Sequence, residues 1–214
     1  AGRAAYLCNR STNCNRSYWT DWYSASRFGT APGPAAGLPV HFAWCVQWAS
    51  RLQRDRQGRI LLSGYSSSAN LPASATAAQR ESGGDYDGVI AEFDGKGALQ
   101  WLSYLGGKAL DMIDDHLVDA QGRITIVGHT ESNNFPVSAG AFQRRRGGAY
   151  DAFFTSLNNS GSILFSTYFG GKDQEIPHSL SAERSGNVLI TGISASTDFP
   201  VKNPTQKKRA GFTD

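Results

Sequence analysis

The sequence has little charge and no long apolar run. Charged residues make up 18% of the 214 positions, and no window approaches 18 consecutive apolar residues. The low charge argues against a charged helical rod, and the lack of a long apolar run excludes a membrane-spanning helix. The formal net charge of +3 is too small to indicate nucleic acid, which we do not expect as a partner.

Cysteine is absent after residue 45. The three cysteines are Cys8, Cys14 and Cys45, and an odd number leaves at least one thiol unpaired within a monomer. The favoured interpretation is a disulfide plus a free thiol, and a Cys8–Cys14 bond suits an oxidising compartment. The alternative is a zinc set that adds His41, although the spacings match no compact zinc motif.

Common catalytic motifs are also missing. The sequence has no Gly-rich phosphate loop, no Gly-x-Ser-x-Gly elbow, no His-Glu-x-x-His and no haem-attachment Cys-x-x-Cys-His. Their absence counts against the common enzyme classes. We therefore predict a protein that is not an enzyme, with no catalytic residue and no cofactor.

The sequence does contain an internal repeat with a period of 64 residues. When residues 58–107 are aligned with 122–171 without gaps, 20 of the 50 positions are identical. A third copy begins near Gly186 and includes Phe199-Pro200. Self-similarity at a fixed period is the signature of repeat architectures.

The repeat predicts three units of unequal quality. We assign residues 1–20 to an N-terminal loop or tail, 21–86 to a divergent first unit, 87–150 to a second, and 151–214 to a third with the start of a fourth. The sequence begins at Ala1 without Met, which fits either a processed chain or a piece of a longer one.

Short β-rich runs inside one unit predict four strands. In the second unit these runs are Val89 to Phe93, Leu99 to Leu105, Ile113 to Val118 and Ile124 to Val127. The segments 94–97, 158–161 and 119–122 are rich in Asp, Asn and Gly, which tolerate the positive φ of hairpin turns. About 20 residues then separate the fourth strand from the next unit, a length that predicts a passage from one sheet to the next.

The fold class that these features predict is all-β, a β-propeller-type repeat of about three four-stranded blades. A solenoid is the rival architecture. Neighbouring sheets are expected to pack face to face, which buries a set of large apolar side chains. This predicted core comprises Ile90, Phe93, Trp101, Tyr104, Phe153, Leu157, Phe165 and Tyr168. Propellers typically carry about 4–8 blades, so three units predict a partial propeller or one completed by association, such as two copies forming a six-blade ring.

Several strings resemble the bacterial SBBP-type β-propeller repeats. They are DAFFTSLNNSGSILFSTYFGG at 151–171, SGNVLITGISASTDFP at 185–200, QGRITIVGHTESNNFPVSAGAFQ at 121–143 and QGRILLSGYSSSANLP at 57–72. The resemblance covers residues 57–214 well and 1–56 poorly, because the first unit lacks the Tyr-x-Gly-Gly of residues 104–107 and 168–171. It implies an exported or cell-surface bacterial propeller, usually within a longer chain, and no defined catalytic residues.

Two acidic patterns are candidates for cation binding. An Asp opens each unit, and a ring of these carboxylates near a channel would hold a cation. The favoured interpretation is that each accepts backbone N–H bonds at a junction. The unit-opening residues are Asp21, Asp87, Asp151 and Asp214.

The second acidic pattern is a candidate metal or acid–base cluster. It consists of Asp111, Asp114, Asp115 and His116, matched in the next unit by Glu175 and His178. Strand alternation places Asp114 and His116 on one face and Asp115 on the other. Solvated turn residues are the favoured interpretation.

Basic and aromatic groups are candidate binding residues. Basic residues recur in the long loops at one period, where their potentials would add and attract an acidic glycan or another polyanion, and solvated loop charges are the favoured alternative. This set comprises Arg80, Arg144, Arg145, Arg146, Lys207, Lys208 and Arg209. Trp19 and Trp22 suit a sugar-stacking platform or the core of a divergent unit.

These observations predict an exported, extracellular or cell-surface scaffold that binds protein partners or associates with itself through blade edges. The first alternative is a glycan-binding, lectin-like propeller that uses Trp19 and Trp22. The second is a polysaccharide-active enzyme that uses channel-facing carboxylates with His116.

Overall fold

The computed structural model describes residues 48–55, 57–183, 185–206, 208–211 and 213. The chain divides into two units, Ala1–Cys45 and Val46–Asp214, and all described residues belong to the second. These residues form ten β-strands and, within the ranges given, no helix. The strands are β1 (Trp48–Arg54), β2 (Ile60–Ser66), β3 (Asp87–Phe93), β4 (Leu99–Leu105), β5 (Asp111–Val118), β6 (Ile124–Thr130), β7 (Asp151–Leu157), β8 (Ile163–Phe169), β9 (Glu175–Ala182) and β10 (Val188–Ser194).

The all-β prediction is confirmed for this part of the chain. No helical segment among the described residues has the length and apolarity that crossing a bilayer requires.

Four-residue hairpin turns lie where the sequence predicted them. In the β3–β4 turn, the carboxylate of Asp94 accepts hydrogen bonds from the backbone N–H groups of Lys96 and Ala98. Gly97 then takes φ 85°, a conformation that costs glycine little because it has no Cβ. Asn158 and Asp119 make the same pair of bonds in the β7–β8 and β5–β6 turns. The repeated turn chemistry fixes the register of each hairpin.

The strands form three antiparallel sheets of four, four and two strands. The first sheet has the order β1-β2-β3-β4, the second has β5-β6-β7-β8, and the third pairs β9 with β10. Each four-stranded sheet therefore joins the second half of one sequence unit to the first half of the next.

The prediction that the long loop passes between sheets is wrong. Residues 67–86 connect β2 to β3 within one sheet, and residues 106–110 make the crossing to the second sheet. The long loop is needed because it runs along the outer edge of β4, where Tyr104 N–H donates to Gln79 C=O. The next loop covers β8 in the same way through Tyr168 N–H and Gln143 C=O. These loops occupy strand edges that would otherwise be open to another chain.

The sheets stack on one another, and their cores lie between them. The main core joins β2, β3 and β4 of the first sheet to β5, β6, β7 and β8 of the second, and a smaller one joins Leu117 and Val127 to Leu180 of the third. Of the eight predicted core residues, seven are buried. Phe165 is the exception, because it is half-buried.

Equivalent first strands of successive sheets approach each other. Strand β5 contacts β1, β2 and β3 of the first sheet, and β9 contacts β5, β6 and β7 of the second, so the first strand of each sheet packs against the first three strands of the preceding sheet. Each first strand carries a β-bulge at the same place in the repeat, at Ser50, Asp114 and His178. Glycine lies opposite each bulge because an added Cβ would overlap backbone atoms of the bulged strand, as at Gly128 against the carbonyl of Met112.

Candidate functional site

Buried carboxylate pairs lie where the chain crosses from one sheet to the next. Asp87 and Asp111 are both fully buried and flank Gly106, where an added methyl group would overlap both carboxylates. Asp87 accepts a bond of 2.8 Å from the N–H of Gly83, and Asp111 accepts one of 2.6 Å from the N–H of Gly107. Glycine at 106 leaves room for the two carboxylates, whereas at Gly107 an added Cβ would instead meet Ser132 and Asn134.

The same arrangement recurs one sheet later. Asp151 accepts bonds from the N–H groups of Gly147 and Gly148, and Glu175 accepts one of 2.8 Å from the N–H of Gly171. The interpretation that the unit-opening aspartates cap backbone N–H groups is confirmed for Asp87 and Asp151. Asp21 and Asp214 lie outside the described residues.

Burial changes the proton affinity of these groups. Desolvation raises the pKa of Asp111 to about 6, hydrogen bonds from Gly107, Thr130 and Ser132 act against that rise, and the carboxylate of Asp87 adds to it. Burial likewise raises the pKa of Asp151, and Glu175 contributes to that shift. Both shifts have the same cause, which is that burial and a neighbouring carboxylate disfavour the charged form.

A second polar feature joins all three sheets along their first strands. Asp115 is 3% exposed and accepts bonds from Arg51 Nη1 at 2.8 Å on β1 and from the N–H of Leu180 at 2.7 Å on β9. Ser179 Oγ is 3.2 Å from the same carboxylate. Residues 51, 115 and 179 are one repeat apart, so a single column of equivalent positions connects three sheets.

His116 is part of the contact between the first and second sheets. It is fully buried, and its Nδ1 lies 2.7 Å from Ser63 Oγ on β2. Burial lowers the pKa of His116 to about 4, and the cation of Arg51 acts in the same direction against the carboxylate of Asp115. The imidazole is therefore neutral at physiological pH and serves as a buried hydrogen-bonding group.

The four residues predicted as a metal set are not brought together. The favoured interpretation as solvated turn residues is also wrong for Asp111, Asp115 and His116, which are buried in strand β5. The carboxylate of Asp114 pairs with His129 Nδ1 at 2.8 Å, while Asp111, Asp115 and His116 bond to the different partners described above. Within the described ranges, no group of three or more His, Cys, Asp or Glu side chains is placed to hold a metal ion. The predicted sharing of one face by Asp114 and His116 depended on unbroken alternation, which the bulge at Asp114 interrupts.

The basic loop residues divide into exposed and structural groups. Arg80, Arg144, Arg145 and Lys208 are exposed. Arg146 Nη1 instead donates to the carbonyls of Gly148 and Ala149, and Arg209 Nη1 donates to the carbonyl of Ala195. Lys207 lies outside the described residues. The prediction of an acidic partner thus depends on the four exposed side chains, those of residues 80, 144, 145 and 208.

The aromatic and cysteine candidates lie outside the described residues. They are Trp19, Trp22, Cys8, Cys14, Cys45 and His41. The glycan-binding and zinc hypotheses that depend on them stay predictions.

The exposed apolar surface of the third sheet was not predicted residue by residue. Among the described residues, strand β10 pairs only with β9, whereas β6, its equivalent, lies between β5 and β7. Ile190 is 45% exposed, but Ile126 at the equivalent position of β6 is fully buried. Leu189 and Ile193 are also exposed. We call the side of residues 188–194 that has no partner strand in the described part of the chain the open edge.

An apolar pocket of about 450 Å³ adjoins the open edge. It lies between the second and third sheets, with Phe169 on one side and Pro177, Ile190 and Phe199 on the other. Lys208 is at its rim. The repeat in the sequence could have indicated this apolar surface. Strand β10 has the same apolar pattern as its equivalent β6, which is a central strand of its sheet.

The sequence was compared with protein-family models and with curated proteins, and neither comparison found a match. The resemblance to SBBP-type repeats stays a prediction.

Proposed function

We propose that this chain is an assembly module, a segment of a β-propeller-type scaffold that associates with other polypeptides through the open edge. The observation that carries the proposal is the exposure of an apolar strand whose equivalent in the preceding sheet is central and buried. Full burial of an Ile or Leu side chain contributes about 1.5–3 kcal/mol. Because Leu189, Ile190 and Ile193 are about half exposed, covering each of them would contribute roughly half of that.

The proposed arrangement of the sheets is that of a propeller, in which successive sheets are placed around a common axis. It is supported by the approach of β1 to β5 and of β5 to β9, and by the column formed by residues 51, 115 and 179. Contacts between equivalent strands at one edge of each sheet are expected when sheets fan out around an axis. An exported or cell-surface location is proposed with it, on the resemblance of the repeat strings.

The polar groups favour a structural role over catalysis. Asp111 and His116 are fully buried and bonded to protein atoms, and Asp114 is paired with His129. A general acid or base must reach its substrate, and the fully buried Asp111 and His116 have no access to one.

The test compares association of the full chain with that of two variants. In the first variant, Ile190→Lys and Ile193→Lys place charges on the open edge. In the control, Leu164→Lys alters an apolar side chain of β8 that is 54% exposed. Sedimentation velocity and chemical cross-linking should show that the edge variant loses self-association or partner binding while the control retains it. Equal behaviour of the two variants would contradict the proposal.

A further inference from the structure

The two buried carboxylate pairs lie at equivalent places in the fold. We call Asp87 with Asp111 the first junction and Asp151 with Glu175 the second junction. At each junction one carboxylate comes from the third strand of a sheet and the other from the first strand of the next sheet. The oxygen atoms of the two junctions can therefore be compared one by one.

Every carboxylate oxygen of the second junction has a hydrogen-bond donor. Gln143 Nε2 lies 2.7 Å from Asp151 Oδ2, and Ser194 Oγ lies 2.6 Å from Glu175 Oε1. The backbone N–H groups described above bond to the other two oxygens, Asp151 Oδ1 and Glu175 Oε2. The protein alone therefore satisfies this junction.

The first junction has fewer donors. The bonds from the glycine N–H groups and from two serine hydroxyls all go to the Oδ2 atoms of Asp87 and Asp111. Among the described residues, no donor bonds to Oδ1 of Asp87, although this side chain is fully buried. Oδ1 of Asp111 has only the Thr130 hydroxyl beside it. Gln79, the equivalent of Gln143, donates instead to the carbonyl of Glu81.

The unpartnered oxygen of Asp87 faces the carboxylate of Asp111. A Cβ placed on Gly106 would lie 2.0 Å from Asp87 Oδ1 and 2.9 Å from Asp111 Oδ2, so both carboxylates converge on the backbone of residue 106. In the part of the chain that the structure describes, no Lys, Arg or His forms an ion pair with either of them. The first junction thus brings two carboxylates together without a cation from the protein.

Hydroxyl groups lie next to these two carboxylates. Ser66 is opposite Asp87 and Thr130 is opposite Asp111 in the strand pairing, and both hydroxyl side chains are fully buried. Ser132 Oγ is 2.7 Å from Asp111 Oδ2. Carboxylate, hydroxyl and carbonyl oxygens are the ligands that hard cations such as Ca²⁺ take in proteins.

We propose that the first junction binds one divalent cation of the Ca²⁺ class between Asp87 and Asp111. Two carboxylates balance the charge of one such ion, and neutral oxygens complete its coordination shell. The ion would join the first sheet to the second, because each sheet supplies one carboxylate. The second junction is not expected to bind an ion, and the site does not depend on the open edge.

The experiment measures Ca²⁺ binding to the full chain after metal has been removed with EDTA. Isothermal titration calorimetry and metal analysis after dialysis should both give one Ca²⁺ per chain. Ca²⁺ should also raise the melting temperature above that in EDTA, because a ligand of the folded state stabilises it. Tb³⁺ in place of Ca²⁺ should emit when tyrosine is excited, since Tyr104 is near enough for the charge of Asp87 to add to the rise in its pKa that burial causes.

Matched variants assign the binding to the first junction. Asp87→Asn and Asp111→Asn should each abolish saturable binding, because one carboxylate alone then remains. Asp151→Asn is the control: it removes a buried carboxylate from the second junction and should bind Ca²⁺ like the parent. Circular dichroism of the three variants checks that each one is folded.

Hydrogen exchange of the parent chain locates the ion without a substitution. Ca²⁺ should slow exchange at residues 82–87 and 106–111, which carry the first junction. The slowing should be smaller at residues 146–151 and 170–175, which carry the second. This measurement keeps the inference testable if the Asn variants fail to fold.

Four results would overturn the inference. The first is that the folded parent shows no saturable uptake of Ca²⁺ or Tb³⁺ below about 1 mM, the weak end of the range for extracellular calcium modules; a proton shared by the two carboxylates would then replace the ion. The others are binding that survives both Asp87→Asn and Asp111→Asn, binding that Asp151→Asn removes to the same extent, and equal slowing of exchange at the two junctions.

Discussion

Removal of the Asp115 carboxylate should destabilise the packing between all three sheets, because this side chain on β5 bonds to both neighbouring sheets. The side chain is 3% exposed and bonds to β1 through Arg51 and to β9 through the N–H of Leu180. Leu180 is itself buried, so an unpartnered N–H there costs about 1–3 kcal/mol. Arg51 has a side-chain exposure of 39% and regains water, so its loss contributes less.

We therefore expect Asp115→Ala to lower the free energy of unfolding by about 2–4 kcal/mol, because the buried N–H of Leu180 loses its partner while the partly exposed Arg51 adds about 1 kcal/mol or less. Asp115→Asn should cost less, because its amide oxygen still accepts from Leu180. Arg51→Met should cost about 1 kcal/mol or less.

The assay is urea denaturation followed by circular dichroism and tryptophan fluorescence. Asp85→Ala, a change at an exposed loop position, is the control and should lie within about 0.5 kcal/mol of the parent. If Asp115→Ala were as stable as this control, the column that connects the three sheets would not contribute to stability.

Three further predictions concern other buried contacts. Because folding lowers the pKa of His116 to about 4, the unfolded chain binds a proton there first, and the free energy of unfolding falls by about 3 kcal/mol as the pH falls from 6.5 to 4. Folding raises the pKa of Asp111 to about 6, so this group adds about 3 kcal/mol to the free energy of unfolding as the pH falls from 6 to 4. The two effects oppose each other in the parent. His116→Asn keeps only the effect of Asp111 and should gain stability relative to the parent as the pH falls, whereas Asp111→Asn keeps only the effect of His116 and should lose stability relative to the parent. Denaturation at pH 4, 5, 6 and 7 checks both signs. Gly128→Ala should cost several kcal/mol because its Cβ would overlap the bulged strand, whereas Gly140→Ala meets no atom within 4 Å and should be nearly neutral in thermal denaturation. Arg146→Ala should lower the melting temperature without a proportional loss of binding to an acidic polysaccharide column, because its guanidinium is bonded to backbone carbonyls; unchanged melting with lost retention would contradict this.

The sequence predicted the strands and hairpins because their signals are local. The Asp-x-x-Gly and Asn-x-x-Gly turns make their hydrogen bonds within five residues, and the apolar residues between them alternate with the pleat. The strand that begins at Asp87 was predicted from Val89, because its first residues, Asp and Gly, have low strand propensity. Their place in the strand is set by the carboxylate junction.

The grouping of strands into sheets could not be predicted from local sequence patterns, because it depends on contacts between residues that are far apart in the chain. Loop length alone suggested a passage between sheets, but residues 67–86 are long because they cover β4 before the chain returns to β3. The bulge at Asp114 likewise depends on the close approach of Gly128, a contact between strands that the pattern of β5 does not encode.

The candidate site could be predicted only in outline. The repeat places β10 among central strands, but its exposure follows from which strands pair in space. The pocket depends on Phe169 and Phe199, which are 30 residues apart in sequence and whose ring centroids lie 5.0 Å apart.

The relation between successive sheets in an experimental structure of this chain tests the central claim most directly. We expect each sheet to be carried onto the next by one constant rotation, with β1, β5 and β9 nearest a common axis and an angle that closes a ring of about 4–8 sheets. Sheets related by a translation along a straight stack, or first strands that lie farther from the axis than the fourth strands, would contradict the account.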